Sequence, residues 1–108
     1  MKAIKWLQHK QIEDDTEIMH ALNGGEFRIP GTRYKADGYS IELNKIFEFL
    51  GDKVHGNPSL YHPDAISPLS HRRMGDLFEE NEKRKQRIQE LGYDYEEIWE
   101  SQWDAMQN

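Results

Sequence analysis

"NKIFEFLGDKVHGNP", residues 44–58, is the stretch on which the reading of this chain turns. Ile46, Phe47, Phe49 and Leu50 form a short apolar run closed by a glycine, the signature of a buried strand over 45–50. Glu48 stands inside it. Alternate strand residues share a face, so Glu48 points with Ile46 and Leu50, away from Phe47 and Phe49. A lone carboxylate there costs several kcal/mol unless it is paired, hydrogen-bonded or bound to a cation. A strand end that lets Glu48 reach water, or a structural ion pair, is the ordinary solution, and a metal site is the other.

The flanking residues keep the second option open. Asp37-Gly38 reads as a hairpin turn dipeptide, and an aspartate in a bend commonly satisfies its own backbone. Placed on the strand before Glu48, the same carboxylate comes within reach of one shared ion. Two oxygen ligands that leave several water positions suit Mg2+ or Mn2+. Downstream, Asp52 and His55 follow in a Gly-containing turn, and an imidazole exchanges protons near neutral pH. An exposed loop histidine is the plain alternative. No pair among the five histidines has zinc-finger spacing, and the chain has no cysteine, so thiolate sites and disulfides are excluded.

Farther out, residues 1–22 carry two weak helical patterns, Ile4 with Leu7 and Ile18-Met19 with Leu22, stopped at Asn23-Gly24-Gly25. "EFRI" (26–29) and "TRYKAD" (32–37) read as short extended segments broken at Pro30-Gly31. Residues 51–70 read as a long loop, a helix runs from about Arg72 to Leu91 and ends at Gly92, and "YDYEEIW" (93–99) is a last strand. A polar tail that includes Trp103 closes the chain, most clearly over 104–108. On the long helix Met74, Phe78, Asn81, Ile88 and Leu91 share a face, which puts the Asn81 amide in an apolar stripe with Lys85 beside it. An inward amide needs partners: it ties the helix to the sheet, or it holds a water or a phosphate. Lys83, Arg84, Lys85 and Arg87 lie near that face, diluted by Glu79, Glu80 and Glu82.

These 108 residues amount to a single α/β domain, a mixed central sheet flanked by helices. No run of eighteen apolar residues exists, so no membrane span is expected, and the start of the chain lacks the apolar core of a secretory signal. A net charge of −6 argues against a protein that coats nucleic acid nonspecifically and leaves open a nuclease with acidic ligands and a local basic surface.

"KADGYS", "FEFLGDKVHGNP" and "IQELGYDYEEIWE", in that order, resemble the very-short-patch mismatch-repair endonucleases and their phage and mobile-element relatives. That group belongs to the PD-(D/E)XK nuclease superfamily and includes homing endonucleases with an EDxHD motif. The similarity spans most of residues 17–103. It implies a restriction-endonuclease-like core and a Mg2+- or Mn2+-dependent endonuclease acting on DNA, in the cytoplasm of a bacterium or a phage-infected host. Asp37 matches the family's central metal-binding aspartate, and His55 the catalytic histidine. Glu48 stands near the second acid, and Asn81 falls where the repair enzymes have an acidic residue. Glu17 or Glu26 supplies the acid ahead of the first strand, with Asp52 a further accessory, and Lys53 joins the helix cations as a DNA contact. The chain departs from the family in four places. Leu50 replaces the superfamily lysine, Lys53-Val54 replaces aromatic residues, Asn81 replaces an acid, and the cysteines of the structural zinc site are missing. Those departures keep a second expectation alive, a weakened nuclease fold that binds DNA or a protein without cutting. Apart from the resemblance, Trp99, Trp103 and the exposed face of the last helix are available for a homodimer contact.

Overall fold

The computed structural model describes residues 1–107. The element order is α1 (Lys2–Glu13), β1 (Phe27–Arg28), β2 (Lys35–Ala36), β3 (Gly38–Ser40), β4 (Lys45–Leu50), α2 (Asp52–His55), α3 (Met74–Glu90), β5 (Asp94–Trp99) and α4 (Glu100–Met106). The class is α/β, as expected. Among the described residues no helix is long and apolar enough to cross a membrane. The chain divides into two units, residues 1–49 with 92–97, and residues 50–91 with 98–107.

In the first unit, β3, β4 and β5 form a sheet in that order, and β1 pairs with β2 separately. β3 and β4 are antiparallel, with Gly38 opposite Phe47 and Ser40 opposite Lys45. The Asp94 N–H donates to the Asn44 carbonyl at 3.0 Å, so β4 and β5 start side by side, run parallel and make the sheet mixed. β4 occupies the residues its apolar run predicts, with Ile46, Phe47, Glu48 and Leu50 buried. α1 lays Trp6 and Leu7 into the core, where Trp6 meets the Phe47 ring edge-on at 6.1 Å.

Several local expectations are corrected. The second helical pattern, around Ile18-Met19, is extended: Met19 and Tyr39 exchange both backbone hydrogen bonds, at 2.8 and 3.1 Å. A ladder partner outbids a weak helical propensity there. Asp37-Gly38 is not a hairpin turn. The chain bends at Asp37 as it passes from β2 to β3, and it reverses only over residues 41–44, where Asn44 takes the left-handed conformation (φ 48°). Gly38 is instead a packing glycine, since a Cβ would lie 2.6 Å from Leu7 Cδ2 and 2.8 Å from Ile18 Cγ2.

In the second unit, the expected long loop contains α2, and the expected polar tail is α4 with Trp103 buried at its centre. α3 buries Met74, Asn81 and Ile88, as the three-and-four spacing predicts, while Leu91 stays exposed. The Phe78 ring lies 6.5 Å from Trp99.

Candidate functional site

β3 and β4 bring two of the expected residues together. Carried one step beyond Gly38–Phe47, their register sets Asp37 opposite Glu48. The side chains are tied across the strands in both directions. The Asp37 N–H donates to Glu48 Oε2 at 3.1 Å, and the Phe49 N–H donates to Asp37 Oδ2 at 2.8 Å. Glu48 is only 4% exposed and Asp37 is half-buried. Glu48 therefore does not escape to water from the strand end, and its carboxylate is held by the Asp37 N–H.

Of the accessory acids in the first unit, Glu17 and Glu26 are both exposed. Glu17 lines an open cavity of about 420 Å3 with Ile18, Met19, Tyr39 and Glu42. Among the described residues, no group of three or more His, Asp or Glu side chains is clustered as a metal cage. The Asp37–Glu48 pair nevertheless fits magnesium as a donor set, because that ion keeps most of its waters and takes one or two carboxylates from the protein.

His55, Asn81, Asp52 and the candidate DNA-contacting cations belong to the second unit. His55 closes α2 and is half-buried. Burial pushes its imidazole below the ordinary 6.5, Arg84 pushes it further the same way, and Glu80 partly opposes them. The ring is therefore neutral at neutral pH and able to accept a proton. Glu80 is itself paired with Arg72 at 2.7 Å, which holds its carboxyl below the usual range. Asn81 is 5% exposed, and its Nδ2 is buried with no hydrogen-bond acceptor. The amide thus ties nothing through that atom.

Asp52 has a structural place. Its Oδ1 accepts from Asn57 Nδ2 at 2.9 Å and from Ser101 Oγ at 3.1 Å, fastening α2 to the turn after it and to α4. Neither Asn57 nor Ser101 stood out in the sequence, and the only local signal was an asparagine in a Gly-Asn-Pro turn. Lys53 and Arg87 are exposed, Lys83 is exposed and lies 3.7 Å from Glu79, and Arg84 and Lys85 are half-buried. Trp103 is buried and so is no surface for a second copy, whereas Trp99 is half-buried.

Sequence reasoning also missed a polar knot in the first unit. Lys10 Nζ meets Glu13 at 2.7 Å, Glu96 at 2.9 Å and Asp14 at 3.3 Å, and Lys45 Nζ meets Glu96 at 2.8 Å. Glu13 and Asp14 are legible as helical neighbours of Lys10, but Glu96 arrives from β5 and leaves no local trace. No protein-family model, curated protein or solved structure matches this chain.

Proposed function

We propose that this chain is a Mg2+- or Mn2+-dependent DNA endonuclease with a restriction-endonuclease-like core of the very-short-patch type, and that Asp37 and Glu48 are its metal-binding carboxylates. The facing of these two carboxylates across β3 and β4 carries the proposal. A bound divalent cation supplies charge neutralisation at a phosphodiester and acidifies water. The backbone N–H groups of Asp37 and Phe49 fix how the two carboxylates are presented, and a fixed donor set is what binding without reorganisation requires. The resemblance gives His55 the proton transfer, and the lowered pKa of its imidazole supports a base that is already neutral at pH 7. Asn81 offers a buried N–H donor where the relatives have an acid, so it suits a phosphate or water oxygen rather than a metal.

A second reading, a weakened nuclease fold that binds without cutting, is favoured by one observation. Each carboxylate already commits an oxygen to a backbone N–H, a sufficient structural reason for both acids.

Conversion of supercoiled plasmid separates the two, with Mg2+ or Mn2+ against EDTA, for the parent, Asp37→Ala, Glu48→Gln and His55→Ala. The nuclease reading expects metal-dependent nicking or linearisation that falls by about 100-fold or more in the Asp37 and His55 variants. A parent that cuts with neither metal overturns it in favour of the second reading.

A further inference from the structure

The β1–β2 hairpin of the first unit has two unlike faces. Its register sets Arg28 directly opposite Lys35 and Phe27 directly opposite Ala36. Directly opposite residues share a face, so one side carries two cations and the other two apolar groups. The apolar side is covered: Ala36 is fully buried, and Phe27 stacks on Tyr39 at 3.9 Å with the rings 10° apart. Tyr93 stands edge-on to both rings, and Ile29 is buried as well. Arg28, Lys35 and, in the connecting loop, Arg33 are exposed. Residues 26–36 thus hold three cations against the single acid Glu26, in a chain whose net charge is −6.

That local excess runs against the charge of the whole. Like charges facing each other across a ladder destabilise it, and a two-stranded ribbon has little stability to spare. A polyanion lying on this face is drawn by all three cations at once. The position is also specific, because β2 leads into the site: Lys35 precedes by two residues the Asp37 whose Oδ2 holds the Phe49 N–H.

We infer that the basic face of the β1–β2 hairpin is a phosphate-backbone contact for duplex DNA, seating the strand beside Asp37 and Glu48. The choice of DNA as the polyanion rests on the nuclease reading above. An anionic membrane surface fits less well, since membrane-surface elements set exposed apolar side chains beside their cations. Here Phe27 and Ile29 are turned inward.

The test is equilibrium binding of a fluorescent DNA duplex in EDTA, across a salt series from about 50 to 200 mM. The parent is compared with Arg28→Glu and with the triple variant Arg28→Gln, Arg33→Gln, Lys35→Gln. Each cation removed flattens the slope of log K against log salt by about 0.9, so the triple variant loses about 2.7. Arg28→Glu replaces a like-charge pair with a Glu–Lys pair. It is expected to melt no lower than the parent while binding DNA more weakly, and a merely structural Arg28 predicts the reverse. An unchanged slope in the triple variant overturns the inference even if the parent cuts plasmid. So does a parent that does not bind the duplex, or one whose hairpin charges serve only binding to phosphatidylserine vesicles. A slope lost in the triple variant, with no cutting by any chain, upholds the hairpin contact and overturns the nuclease reading alone.

Discussion

Gly56 and Gly38 show how differently the same residue type constrains this chain. Gly56 follows His55 with φ 64°, and a Cβ there would collide with the Met74 carbonyl oxygen at the start of α3. Backbone cannot yield as a flexible side chain does, and the left-handed conformation adds its own cost for any other L-residue. Gly56→Ala is therefore expected to cost about 3 kcal/mol, read as a lower urea midpoint. The role of Gly56 is legible in the sequence, since Gly-Asn-Pro marks a break. Gly38 misleads for a physical reason. Asp-Gly favours turns because glycine tolerates positive φ, but Gly38 does not adopt one and is selected by the space under Leu7 and Ile18. Those neighbours come from elements remote in the chain, so no local rule contains them. The carboxylate that precedes Gly38 was legible by type, while its tie to the Phe49 N–H became visible only with the register of β3 and β4.

Among the elements, α1 and β5 are joined by a buried charge, Lys10 to Glu96. Burial alone would lower the Lys10 pKa, but Glu13, Glu96 and Asp14 outweigh it and raise the ammonium well above its ordinary value. Burial likewise pushes Glu96 up, and Lys45 and Lys10 together reverse the effect and hold its carboxyl below 4.5. The Lys10 contribution is thus present below its ordinary pKa and lost as pH rises through the raised value. The Glu96 contribution is present above 4.5 and lost as pH falls through the lowered value. Lys10→Met leaves Glu96 with Lys45 only. With Glu96 and Glu13 partly exposed, the expected loss is about 2 kcal/mol at pH 7, below that of a fully buried pair. Denaturant titrations at several pH values check it, and the gap from the parent should close below about pH 4.5 as Glu96 protonates. The sequence predicted α1 from Ile4 and Leu7 but missed α4. Glu100–Met106 is short and polar, and its apolar pair at helical spacing, buried Trp103 and exposed Met106, is too little to show a stripe.

For the whole molecule, the α/β class and the order of its main elements were legible because strand and helix periods are local properties. β4 and α3 show it best, each a single pattern that persists around one inward polar residue. Net charge was a poorer guide, since a total of −6 averages over the three cations of the β1–β2 hairpin. The parallel placement of β5 beside β4 has a further consequence, in time rather than space. The first unit is discontinuous in sequence: it is built from residues 1–49, then waits for 92–97. β3 and β4 need only a four-residue reversal to meet, whereas closing the sheet with β5 must span the whole intervening segment, a larger loop entropy and a slower step. On a ribosome, then, Asp37 and Glu48 acquire each other before residues 92–97 exist, and Lys10 and Lys45 carry their charges without Glu96 until that later segment arrives.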